Sequence, residues 1–308
     1  MVLTYQIQGR RQVPNYRQFL KSGGNKSSLA NFISQHILDN YEQLPNEKSI
    51  ILAGGFGDGK LVKEVQPLRV SSIDSLQSTQ EEADTRIILH AVSLSRDHSR
   101  VIVRCDDTDV LVLLIYYSSR KQLTDKAHMY AGHSGKERYI PVHEIVTQLG
   151  PTVCECLPAI HAITGCDTTC SFNRIGKWTA YSTLIKNAQA LSDMKGFHEA
   201  DIDTCVSLSR KFVLLMYGKK GKTWSHWMSY VSIWPRPQTS QHLCFPQPRM
   251  HSSSTSYGPS IKPRFGVTAM LLTHRWYHRL VMAGPLVKVV ELPRLCILKI
   301  PLQLRFET

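Results

Sequence analysis

The sequence predicts an α/β fold: a mainly parallel twisted sheet flanked by helices, then a small helical helix–turn–helix region and an irregular C-terminal tail. Three observations predict it. Ala83, Ile87, Leu89, Ala91 and Leu94 recur at helical spacing, and Glu81, Glu82 and Asp84 fill the opening turn, where carboxylates suit the helix dipole. The β-branched run Val101-Ile102-Val103 follows as a buried strand and ends in Asp106-Asp107-Thr108-Asp109. Strand-like and helix-like segments keep alternating up to Lys186, the order that builds βαβ units. In open α/β sheets, ligands and catalytic groups collect at the carboxyl ends of strands. Carboxylates gathered there from two elements repel one another, so the pattern calls for a positive partner, a divalent cation first of all.

The elements can be justified in order. Residues 1–45 form a polar, basic segment with one helix expected over residues 28–41, capped from Asn25-Lys26-Ser27-Ser28. Leu44-Pro45-Asn46 is turn chemistry, and Ser49–Ala53 reads as a central strand of the sheet. Gly54, Gly59 and Lys60 then match the spacing GxxxxGK, which in a P-loop cradles phosphates on backbone N–H groups. Leu61 stands where the Mg²⁺-ligating hydroxyl belongs, and KLVKEVQPLRV reads as a strand stopped by Pro67 rather than as a helix. A hairpin loop is therefore preferred, with nucleotide binding at Gly54–Lys60 as the weaker alternative. Beyond the acidic helix and strand, the apolar run Val110–Tyr117 fits a strand or a helix, and periodicity does not decide. Lys126–Gly132 reads as a strand and Val142–Leu149 as a short amphipathic helix. Val153–Thr164 reads as an apolar helix broken or kinked at Pro158, and Trp178–Lys186 as another helix.

The folded domain is expected over residues 46–222. The formal charge of the 308-residue chain is +13, yet residues 223–308 hold ten Lys/Arg against Glu291 and Glu307, which is +8 of it. No acid occurs between Asp203 and Glu291, and HSSSTSYGPSIKPRFG has neither helical nor strand periodicity. Two origins fit that text, a disordered basic tail or a segment translated out of frame, and the second suits the missing acids better. Net charge alone is thus weak evidence for a nucleic-acid surface. No apolar run is long enough to span a membrane. MVLTYQIQGRRQ lacks the apolar stretch and cleavage site of a secretory leader, and the eight cysteines are sparse for a disulfide scaffold. Both point to an intracellular chain.

Glu82-Ala83-Asp84, Asp107-Thr108-Asp109 and Gly165-Cys166-Asp167 are three ordered acidic sites in one α/β region. This set resembles the flap-endonuclease and PIN-domain nuclease superfamily, whose E-A-[ED], D-x-D and G-x-D motifs hold divalent metals. LPAIHAITGCDTT is similar to the third of these motifs, and FNRIGKWTAYSTLIKN to the helix–turn–helix with which flap endonucleases grip duplex backbone. The resemblance spans residues 50–187. It implies hydrolysis of DNA or RNA phosphodiesters, endo or exo, with two Mg²⁺ or Mn²⁺ ions. Glu82 and Asp84 would serve one ion, Asp107 and Asp109 the other, with Asp167 closing the site; a nuclear location is also implied. Carboxylates suit that chemistry because Mg²⁺ is hard and prefers oxygen. Arg174, Lys177 and Lys186 are candidates for phosphate contacts.

Plainer roles stand beside these. The first-turn acids stabilise a helix terminus, Asp106–Asp109 suits a solvated turn or an N-cap for a helix at Val110, and Asp167 suits a cap. His90 and His161 lie in apolar helical runs and read as core residues, as do the cysteines, which lack paired C-x₂-C spacing for zinc. The superfamily carries further acids on earlier strands of the sheet. Here Asp39, Glu42 and Glu47 lie outside strand-like runs, which motivates an alternative, a catalytically inactive binding or scaffold module.

Overall fold

The computed structural model describes residue 7 and residues 15–78, 83–166, 172 and 175–217. The expected 223–308 tail, Glu81, Glu82, Asp167 and Arg174 lie outside the described residues. The class is α/β, and the chain divides into two compact units with the boundary between His98 and Ser99, inside the span 46–222.

The first unit opens with α1 (Tyr16–Phe19) and α2 (Gly23–Asp39). Helix α2 starts earlier than expected because Ser22 is its cap, the hydroxyl accepting from the Asn25 N–H at 3.4 Å. Asn25 turns inward instead of capping, and its side-chain amide donates to the Phe19 carbonyl at 3.1 Å. Strands β1 (Ile50–Ala53), β2 (Val62–Gln66) and β3 (Arg69–Ser72) make an antiparallel sheet in that order, with Val65 facing both Ile50 and Val70. The connections Gly54–Leu61 and Pro67-Leu68 are hairpin loops, too short for the crossover a parallel pair demands. Strand β1 is therefore a sheet edge and not the central parallel strand expected. Ile37 of α2 packs on Leu52 and Val65, with Ile33, Tyr41, Leu44 and Phe56 around them. Full burial of each such side chain contributes roughly 2 kcal/mol. Helix α3 (Ala83–Leu94) completes the unit where the spacing places a helix, but it buries Thr85, Ile88, Ala91 and Val92, so of the positions that predict it only Ala91 is buried and the inward face is rotated from the expected one.

In the second unit, β4 (Val101–Arg104) and β5 (Ala127–Ala131) are parallel and are joined through α4 (Thr108–Ser119), a βαβ crossover. β6 (Arg138–Pro141) adds to β5 antiparallel. Among the described residues β4–β5 is thus the one parallel pairing, and a mainly parallel sheet is not what these strands form. The ambiguous run 110–117 is helical. Helix α4 buries Val110, Leu113, Leu114, Ile115, Tyr116 and Tyr117, nearly its whole circumference, which erases the amphipathic signal.

α5 (Val142–Ile163) is two helices run together across a kink at Gly150, where φ is 73°. Pro151 opens the second half, where a missing N–H does no harm. The break at Gly150 falls between the two helices expected over Val142–Leu149 and Val153–Thr164, and glycine takes that backbone conformation at little cost; the kink expected at Pro158 is absent, its backbone staying helical. The second half of α5 packs along α4, and α6 (Lys177–Lys186) and α7 (Ile202–Tyr217) follow. Leu184, Leu191, Met194, Phe197 and Phe212 are fully buried in this unit. No helix among the described residues is long and apolar enough to cross a membrane.

Candidate functional site

Strand β4 ends at Arg104, and the acids follow at the carboxyl edge of the parallel pair. Asp106 stays exposed, accepts from the Gly132 N–H and lies 3.7 Å from the Arg104 guanidinium. Asp107 is the N-cap of α4, its carboxylate accepting from the Asp109 N–H at 2.9 Å. An aspartate is well suited there, since its oxygen satisfies an orphan donor and its charge meets the positive helix end. Asp109 sits one turn inside α4, 8% exposed.

That burial is matched by a partner from α5. His161 Nε2 lies 2.6 Å from Asp109 Oδ1, and His161 is itself buried. On the other ring edge, Lys177 Nζ is 3.3 Å from His161 Nδ1. An ammonium only donates, so Nδ1 accepts and the ring proton sits on Nε2, directed at the carboxylate. The hydrogen bond from His161 holds the Asp109 carboxyl below its ordinary range; burial opposes this, and the Lys177 charge adds to it. Lys177 also donates to the His161 carbonyl at 2.8 Å and to the Gly165 carbonyl, with Thr164 Oγ1 at 3.3 Å. The ammonium therefore caps the negative end of α5, and burial holds its pKa below the usual lysine value. The sequence pattern predicts phosphate contact for Lys177; its three N–H donors are used inside the protein instead. Lys186 is exposed on the last turn of α6.

Five acids are expected as metal ligands. Glu82 and Asp167 lie outside the described residues, and Asp84 belongs to the first unit. Asp107 and Asp109 share the first turn of α4. Among the described residues no three His, Cys, Asp or Glu side chains form a metal-type group. The GxxxxGK loop is followed by β2 and not by a helix, so no helix N-terminus faces a phosphate there. Gly55, with φ +75°, packs against the Ala30 carbonyl and Ser34 of α2, whose hydroxyl donates to the Gly54 carbonyl at 3.0 Å. Gly55 thus serves close packing of the hairpin loop on α2.

Buried cysteines account for the other thiols of α5 and α7. Burial pushes Cys154 up to about 11, Cys156 up to about 12 and Cys205 up to about 11, which keeps all three as inert thiols. His161 is the residue that sequence reasoning assigned to the core and that the fold places in the acidic site. No protein-family model, curated protein or solved structure matches the chain. What the fold and site define is a class: an α/β protein with an Asp–His–Lys chain at the carboxyl edge of a βαβ unit.

Proposed function

We propose that the chain is a PIN-like, flap-endonuclease-like protein that hydrolyses nucleic-acid phosphodiesters with Mg²⁺ or Mn²⁺. The observation that supports this most is the position of Asp107 and Asp109, just past β4 beside the parallel β5, with Asp109 kept ionised by His161. The donors are carboxylate oxygens, which fit a hard cation that takes one or two carboxylates and retains water. Among the described residues each carboxylate has one oxygen engaged, Asp107 Oδ1 by the Asp109 N–H and Asp109 Oδ1 by His161, so the second oxygen of each is the one that would meet an ion. By resemblance, Glu82, Asp84 and Asp167 complete the set for two ions. When bound, such ions polarise the phosphate and acidify an attacking water. The protein's own part is to hold Asp109 charged and fixed in one rotamer, which His161 does directly and Lys177 does through the ring.

A second reading, a catalytically inactive binding module, draws on the same contacts. Acids brought together need a positive partner, and Lys177 with His161 already supplies one to Asp109. The two are separated by titrating the full chain with Mn²⁺ in a calorimeter and assaying cleavage of single-stranded and branched DNA and RNA, in parent and Asp107→Asn. Saturable Mn²⁺ uptake and cleavage, both lost in the variant, are expected. Cleavage that survives Asp107→Asn unchanged overturns the mechanism, and a folded parent that takes up no Mn²⁺ leaves the binding module.

A further inference from the structure

The second-unit sheet has two unlike faces. Val101, Val103, Ala127 and Met129 alternate inward and are buried. The intervening residues form rows across three strands, because the register pairs Arg104 with Tyr130 and Tyr130 with Tyr139. In that row the Arg104 guanidinium lies 4.6 Å from the centre of the Tyr130 ring, and the Tyr130 and Tyr139 rings are 4.6 Å apart, tilted by 32°. The Arg104 guanidinium is held over the ring by hydrogen bonds to the Tyr130 and Gly132 carbonyls. Tyr139, at the end of the row, is 58% exposed. The next row places His128 edge-on to Tyr139, with ring centres 6.4 Å apart, and His143 follows at 5.0 Å from His128.

Stacked planes of this kind have a chemical counterpart. Unpaired bases stack on exposed aromatic rings and on guanidinium planes, whereas a duplex hides its base faces. Arg104, with the Asp106 carboxylate 3.7 Å away, puts a guanidinium plane in the stack, a second flat surface that suits the π-face of a base.

We propose that the Arg104–Tyr130–Tyr139 row is a base-stacking platform for single-stranded nucleic acid. It rests on the reading of the protein as one directed at nucleic acid, and it names the substrate class as unpaired strand. It does not use Lys177, and it needs no metal.

The test is fluorescence anisotropy with the full chain in EDTA, using labelled single-stranded DNA, single-stranded RNA and the corresponding duplex. Salt is raised until non-specific phosphate attraction is screened. Tyr139→Ala should weaken single-strand binding about tenfold, and Tyr139→Phe should restore it, since the ring and not the hydroxyl stacks. Thermal melting of the variants controls for folding, and the exposed position of Tyr139 makes loss of fold a separate, visible result. Equal affinity of parent and Tyr139→Ala overturns the platform, as does a parent that prefers duplex or binds no single strand. Comparing DNA with RNA shows which sugar is accepted. Tyr139-dependent binding with no Mn²⁺-dependent cleavage keeps the platform and removes the nuclease reading; cleavage with no Tyr139-dependence does the reverse.

Discussion

Asp109 Oδ1 and His161 Nε2 are 2.6 Å apart, both residues are buried, and they stand 52 positions apart in the chain. Each side chain sits in an apolar stretch of its helix, Val110–Tyr117 following Asp109 and Leu157–Ile163 surrounding His161, and each would be costly there alone. Together they satisfy one another, and they tie α4 to α5 at the edge of the sheet that carries the acidic site.

Removing one member should therefore cost more than removing both. His161→Leu leaves a buried carboxylate without its donor and should destabilise by about 3 kcal/mol in chemical denaturation. Asp109→Leu/His161→Leu should recover part of that loss, because the remaining charge is gone. Asp109 also sets an acid limit. Its carboxyl is depressed in the folded state, so its stabilisation is present above the ordinary carboxylate pKa of about 3.9 and fades as pH falls through the lower folded value. Asp109→Asn should flatten the stability curve in that acid range, and a variant as acid-sensitive there as the parent would remove Asp109 from the account.

Lys177 and Lys186 lie at opposite ends of α6 and should behave oppositely. Lys177→Met removes the cation from the α5 carbonyls and from His161, and should cost about 1–2 kcal/mol. It should leave the salt dependence of nucleic-acid binding unchanged, since the ammonium is turned inward. Lys186→Gln should leave stability within about 0.5 kcal/mol and, if it meets phosphate, lower the salt slope by about one. A Lys177→Met chain of normal stability that loses a unit of salt slope would contradict the inward placement.

The contrast between what was legible and what was not follows the range of the interactions. Asp107 capping α4 is a local event, and the acid–Thr–acid run before an apolar stretch announced it. The strand at Val101-Ile102-Val103, the helices α3 and α6, and the Gly54–Lys60 hairpin loop are local too, and they were readable, whereas the face that α3 turns inward was not. The antiparallel edge placement of β1 was not, because apolar content is the same in a hairpin and in a crossover. The short Gly54–Leu61 connection was the available signal. The Asp109–His161 pair is non-local, so periodicity is blind to it. Its trace in the sequence was a buried acid in DTDVLVLLIYY and a histidine in LPAIHAI, each needing a partner that its own helix does not offer. Lys177 looked like a surface cation because its position is exposed, while its ammonium folds back.

His90 of α3 gives the first unit a separate pH dependence. Burial lowers its pKa from 6.5 to about 4, and the nearby Arg86 charge adds to the shift. Its Nε2 is buried and has no hydrogen-bond partner among the described residues. For a base whose folded pKa is depressed, the unfolded chain binds more protons between the two values. Stability therefore rises with pH across that window and is lost on acidification from 6.5 toward 4. At 1.36 kcal/mol per pKa unit the full loss is of order 3 kcal/mol. The window lies above the one set by Asp109, so the two are resolved in a single series of urea melts. His90→Leu should remove the dependence between pH 6.5 and 4.5 while keeping the helix face apolar. If parent and variant lose stability in parallel over that range, the acid sensitivity belongs to another group and the burial of a neutral His90 contributes nothing to it.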